Sequence, residues 1–164
     1  MAATGASWRE SFLVGVLVFG IAGVGCVLLA MFAVVRLIRS DGNLSDMVDP
    51  TVLIFASTAA AVIGVIAWRL IAGAPGSGPG RGALAGLVVG LLAHPLCWLL
   101  LAAYQIAGVP EARSRSVHDL IFDLGFMTVW ISISSLGLIG WITGPLGAAL
   151  GYAAKRFTAS TSRA

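Results

Sequence analysis

Four stretches of this chain carry no Asp, Glu, Lys or Arg: residues 11–35, 50–68, 82–107 and 124–154. A helix rises about 1.5 Å per residue and the hydrocarbon core of a bilayer is about 30 Å thick, so about 20 apolar residues suffice to cross it. Each run meets that length. A folded domain in water has too little interior to hide four of them, because 59% of the 164 residues are hydrophobic and 10% are charged, against about 25% charged in ordinary soluble domains. The fold class expected is all-α: an integral membrane bundle of four transmembrane helices, both termini on the same side. The whole of 1–164 forms one membrane domain, with spans at 11–36, 50–70, 82–107 and 126–154 and a linker at 73–81.

Local signals place the boundaries. Ser7 and Glu10 stand three apart before the first run, a capping box that starts a helix. Arg36 and Arg39 close that helix, where cations suit the carbonyl end of its dipole. Asp49-Pro50 reads as an N-cap followed by proline at the first helical position. The stretch 72–82, AGAPGSGPGRG, has linker composition. Ser116 and Asp119 offer a second capping box. The fourth run is longer than one straight span requires, so 117–125 is expected to lie at the interface. A kink or break is expected at Gly144-Pro145.

Orientation rests on basic residues near the helix ends. Arg9, Arg69, Arg81, Lys155, Arg156 and Arg163 fall on the side of the termini, and Arg36, Arg39, Arg113 and Arg115 on the other. Six against four places the termini in the cytoplasm. The expected location is the bacterial cytoplasmic (inner) membrane, multi-pass. Trp8, Trp68 and Tyr152 fall at one expected interface and Tyr104 and Trp130 near the other, as aromatic belts do.

Two glycine rows stand out: Gly82, Gly86 and Gly90 in the third run, and Gly140, Gly144, Gly147 and Gly151 in the fourth. Lipid tails are as apolar as Leu, so helices in a membrane associate through close backbone approach, which small residues permit. Helices 3 and 4 are therefore the expected tight pair. Weak internal similarity also links Gly15 and 26–29 to Gly86 and 97–100, and Ile63-Gly64 to Ile139-Gly140. Chance matching in a Gly/Ala/Leu/Val alphabet accounts for it better than duplication does.

His94, followed by Pro95, is the one ionisable side chain deep in an apolar run. Such a residue marks a functional site by default. The plainer role is structural: Pro95 leaves the Leu91 carbonyl without its helical donor, and a neutral imidazole repairs that defect or bonds a hydroxyl on another helix. Ser132, Ser134 and Ser135, with Thr128, form a polar face on helix 4, as Ser57 and Thr58 do on helix 2. These mostly bond their own helix or a neighbour.

The chemistry that is lacking narrows the function. A net charge of +3, scattered over loop ends, does not suit nucleic acid. Cys26 and Cys97 lie in apolar runs and are read as small buried hydrophobes rather than a disulfide. Asp41, Asp46, Asp49, Glu111, Asp119 and Asp123 gather on the outer side, but two serve as caps and four arginines stand nearby as partners. No metal, cofactor or catalytic residue is expected. No carboxylate of the kind that couples proton-driven export lies within a span. The chain is expected to be a non-enzymatic accessory, assembly or structural subunit whose partners are the lipid bilayer, a second copy or a larger membrane complex. The alternative is a small oligomeric channel or transporter subunit using His94 and the Ser/Thr faces of helices 2 and 4.

Overall fold

The computed structural model describes residues 7–25, 28, 32, 50–74, 76–108 and 116–161. All regular structure among them is helical. Four helices are long and apolar enough to cross a membrane.

The Ser7 hydroxyl accepts from the Glu10 amide at 3.1 Å and starts α1 (Trp8–Gly25). The middle of α1, Val14–Ala22, is wound as a π-helix. Helix α2 (Pro50–Ala72) opens on a proline whose missing N–H costs nothing at a first helical position. It ends in a π-helical turn, Trp68–Ala72, closed by the Gly73 amide on the Trp68 carbonyl at 2.7 Å. Asp49, like Asp41, Asp46 and Glu111, lies outside the described residues.

The linker turns at Gly76, whose φ of 72° is left-handed and favours a residue without Cβ. The Ser77 hydroxyl reaches back to the Ala72 carbonyl. Helix α3 (Pro79–Gly108) then begins three residues earlier than the expected span, again on a proline. It runs without a break through Pro95.

Helix α4 is one rod of three parts: α-helix Val117–Ser135, a π-helical turn Leu136–Gly140, and α-helix Trp141–Thr161. Ser116 caps it, accepting from the Asp119 amide at 3.1 Å and donating to the Asp119 carboxylate at 2.8 Å. The break expected at Gly144-Pro145 is not there. Pro145 sits inside the second α-helical limb, and the irregularity lies a turn earlier. Proline withdraws the donor that the Trp141 carbonyl would use, a loss of one hydrogen bond that the helix spans without ending. The Trp141 indole then donates to the Leu138 carbonyl at 2.9 Å.

Packing follows the small residues. An added Cβ on Gly86 would run into the Gly147 carbonyl, one on Gly82 into Gly151, and one on Gly90 to 2.9 Å from the Thr143 carbonyl carbon. Here α3 and the second limb of α4 lie antiparallel, backbone against backbone. Gly144 sits at the edge of this contact, facing Leu87 and Leu91, and Gly140 meets Leu136 of its own helix. A second close approach joins α1 to α2, where a Cβ on Gly64 would come within 3.1 Å of Gly15 Cα and against the Phe19 ring. Ser57 Oγ adds a hydrogen bond to the Gly20 carbonyl at 3.0 Å.

The buried core joins the two hairpins through Val14, Phe19, Trp68, Ala85 and Val89. Trp68 is a core residue with 0% exposure, its ring 6.4 Å from that of Phe19; it is not a belt residue at an interface. The residue before it in a belt reading, Trp8, is exposed and carries the Arg69 guanidinium 3.9 Å above its ring. Lys155 Nζ donates to the Ala72 carbonyl at 2.8 Å. These contacts gather the start of α1, the end of α2, the start of α3 and the end of α4 at one end of the bundle.

Candidate functional site

His94 lies at the middle of α3, where the Gly82–Gly90 contact with α4 gives way to side-chain packing. Its two ring nitrogens are both engaged, Nδ1 with Ser135 Oγ at 2.9 Å and Nε2 with Thr143 Oγ1 at 3.0 Å. Trp98, one turn along α3, donates its indole N–H to the same Ser135 oxygen at 3.1 Å. Ser135 Oγ also reaches the Ser132 carbonyl at 3.2 Å, and Thr143 Oγ1 reaches the Gly90 carbonyl at 3.1 Å. Ser135 and Thr143 are 9% and 7% exposed, so the cluster is withdrawn from the surface.

The π-helical turn puts the two hydroxyls on one face. In a regular α-helix the eight steps from Ser135 to Thr143 would leave them about 80° apart around the axis. One π turn takes in an extra residue, so the steps behave as about seven and the offset falls to about 20°. The irregular segment Leu136–Gly140 lies between them and supplies that correction.

The donors and acceptors balance in either neutral tautomer of His94. With the proton on Nδ1, the ring donates to Ser135, which turns its own proton to the Ser132 carbonyl, and Thr143 donates to Nε2. With the proton on Nε2, the ring donates to Thr143, which donates to the Gly90 carbonyl, and Ser135 donates to Nδ1. Two hydroxyl rotations convert one state to the other, and neither leaves a ring nitrogen unbonded.

The cluster forms part of the wall of a cavity of about 340 Å³ to which all four helices contribute. The rest of the wall is apolar. Among the described residues no three His, Cys, Asp or Glu side chains come together as metal ligands. Cys97 is free and buried on the same wall, while Cys26 lies outside the described residues.

Comparison of the chain with protein families, with curated proteins and with solved structures finds no match in any of the three.

Of the residues singled out in the sequence, His94 and Ser135 are bonded to each other. Ser132 contributes its carbonyl, and its own hydroxyl is buried without a partner among the described residues. Ser134 turns away and bonds the Trp130 carbonyl of its own helix at 3.0 Å, on an exposed face. The polar face is thus split. Thr58 likewise bonds its own helix, at Ile54, while Ser57 crosses to α1. His94 does not mend the Pro95 defect with its ring, since both nitrogens go to α4. Trp98 and Thr143 complete the cluster and are not among the residues that sequence spacing selects. Trp98 stands four residues from His94, a spacing that places it on the same helical face. Thr143 gives no such sign, because its alignment with Ser135 depends on the π turn.

Proposed function

We propose that the chain is an integral membrane protein of four spans, both termini cytoplasmic, acting without catalysis as a small accessory or assembly subunit of a bacterial cytoplasmic membrane. The observation that carries the membrane part is the inverted polarity of the bundle. Leu138, Leu70 and Trp141 are 74%, 73% and 68% exposed, whereas Ser11 is fully buried and Thr143 nearly so. Water would penalise so large an apolar surface, and lipid does not. The subunit role is supported by where the polar groups go: the His94 cluster and the Ser57 hydroxyl are satisfied within the chain. The outer surface keeps apolar faces for lipid and neighbouring helices, among them the ladder Phe122, Phe126 and Trp130, with ring centroids 6.1 and 6.5 Å apart. Gly82, Gly86, Gly90, Gly147 and Gly151 are consumed between α3 and α4, so association with a second copy or a larger complex falls to these outer faces.

Membrane placement is tested by washing membranes at alkaline pH: the chain stays with the bilayer, and its release would overturn the reading. The subunit role is tested by purification in mild detergent at native abundance. Specific membrane proteins, or a stable oligomer, come with the chain; a bare monomer at every detergent concentration would count against it.

A second reading, a channel or transporter subunit, is favoured by the interchangeable tautomers of His94. It requires flux through liposomes holding the purified chain and its loss in His94→Ala. Absence of flux, or flux indifferent to the substitution, ends that reading.

A further inference from the structure

The cavity among the four helices is bounded by Phe19 and Gly23 of α1, Ala56 of α2, Ala93 and Cys97 of α3, and Ile139 of α4. At about 340 Å³ it lies in the size range of small-molecule sites, about 300–1,000 Å³. Small side chains hold its walls apart: Gly23, Ala56, Ala60, Gly90 and Ala93 all line it. Among the described residues no Asp, Glu, Lys or Arg does. Its polar members are His94, Trp98, Ser135 and Thr143, and each is already hydrogen-bonded to another of them. A polar solute would give up its hydration on entering and find no free side-chain donor or acceptor among the described residues in exchange. Water meets the same wall, and apolar cavities without polar partners stay dry. A hydrocarbon chain loses nothing polar on entering and gains dispersion contacts along the apolar wall.

We propose that this cavity is a binding site for a single hydrocarbon chain, the acyl tail of a bilayer lipid or an isoprenoid, held between the two helical hairpins against the His94 wall. The proposal rests on the membrane placement given above, which supplies such chains at this depth. The polar cluster serves the site by closing upon itself: with its hydrogen bonds made inside the protein, it presents carbon to the ligand. This assigns the cavity to apolar cargo and not to an ion or a polar metabolite.

The test is photolabelling of the full chain in phosphatidylcholine/phosphatidylglycerol vesicles. One arm carries a phospholipid with a diazirine at the midpoint of one acyl chain, the other a diazirine-bearing isoprenoid alcohol. Adducts are mapped by peptide mass spectrometry. Adducts are expected on Ala93, Cys97 or Ile139 in at least one arm, and that arm names the source. Outward-facing Leu84, Leu70 and Leu138 are labelled in both. Filling the cavity with Ala56→Phe and Ala93→Phe removes the inner adducts and keeps the outer ones. Adducts confined to the outward residues in both arms, or inner adducts that persist unchanged in a folded filled variant, would overturn the proposal. If the filled variant does not fold, the wild-type map decides alone. Failure to label even the outward residues would instead overturn the membrane placement, and the site with it.

Discussion

Single residues in this bundle matter by the space they leave empty or the proton they hold. At Gly86 even one methyl group would collide with the Gly147 carbonyl, so α3 and α4 must separate to admit it. Gly86→Ala is expected to cost about 1–3 kcal/mol in reversible unfolding from mixed micelles, the usual penalty for overpacking. Gly125 and Gly137 have nothing within 4 Å of an added Cβ, so Ala there should be neutral or stabilising by up to about 1 kcal/mol. Equal effects at Gly86 and Gly125 would show that the close approach carries no stability. For His94→Leu the expected loss is about 1–2 kcal/mol, the scale of hydrogen bonds between helices in a membrane. Because Ser135 and Thr143 depend on the same ring, a cycle pairing His94→Leu with Thr143→Val should be non-additive. Additive losses would mean the two side chains do not interact. His94 was legible from the sequence as a lone ionisable group in an apolar run, but its partners were only half so. Ser135 sat in a visible cluster of hydroxyls, whereas Ser134 beside it points outward, a difference that residue type cannot express.

At the scale of elements, the helices were legible from charge-free runs and caps, and their irregularities were not. Ser7 and Ser116 cap α1 and α4 through hydroxyls whose spacing to Glu10 and Asp119 is written in the sequence. Proline at 145 marks a missing donor, yet the helix yields at Leu136–Gly140 instead. Hydrogen bonding upstream can shift by one residue without losing a partner, and no residue type announces that shift. The similarity between Gly15 and Gly86 is matched in space, for each lies where its helix comes nearest the next. The companion match of Gly64 with Gly140 is not, since Gly140 meets its own helix while Gly147 faces Gly86. The π turn carries its own prediction. Deleting Gly137, where an added Cβ would meet nothing within 4 Å, leaves seven steps between Ser135 and Thr143, which a regular α-helix sets about 20° apart. Nitrogen resonances of the His94 ring should then still report two hydrogen bonds. Loss of one of them would mean that the turn does more than take in a single extra residue.

For the molecule as a whole, the grouping of Trp8, Arg69, Ala72 and Lys155 at one end predicts which loops share a compartment. In a chain with Cys26 and Cys97 replaced by Ala, a membrane-impermeant thiol reagent should reach Ser77→Cys and Thr158→Cys from one face and His118→Cys from the other. Labelling of Ser77→Cys and Thr158→Cys from opposite faces would refute the four-span arrangement. The nested contact of α3 with α4 has a mechanical consequence. Carbonyls and α-carbons interlock there without flexible side chains between them, so those two rods resist sliding and twisting and behave as one stiff beam. The α1–α2 pair leans on that beam through Phe19, Trp68 and Val89, whose rotamers can yield. Any widening of the space between them is therefore a swing of the first pair about the turn at Gly76, and Lys155, latched to the last carbonyl of α2, stands beside it.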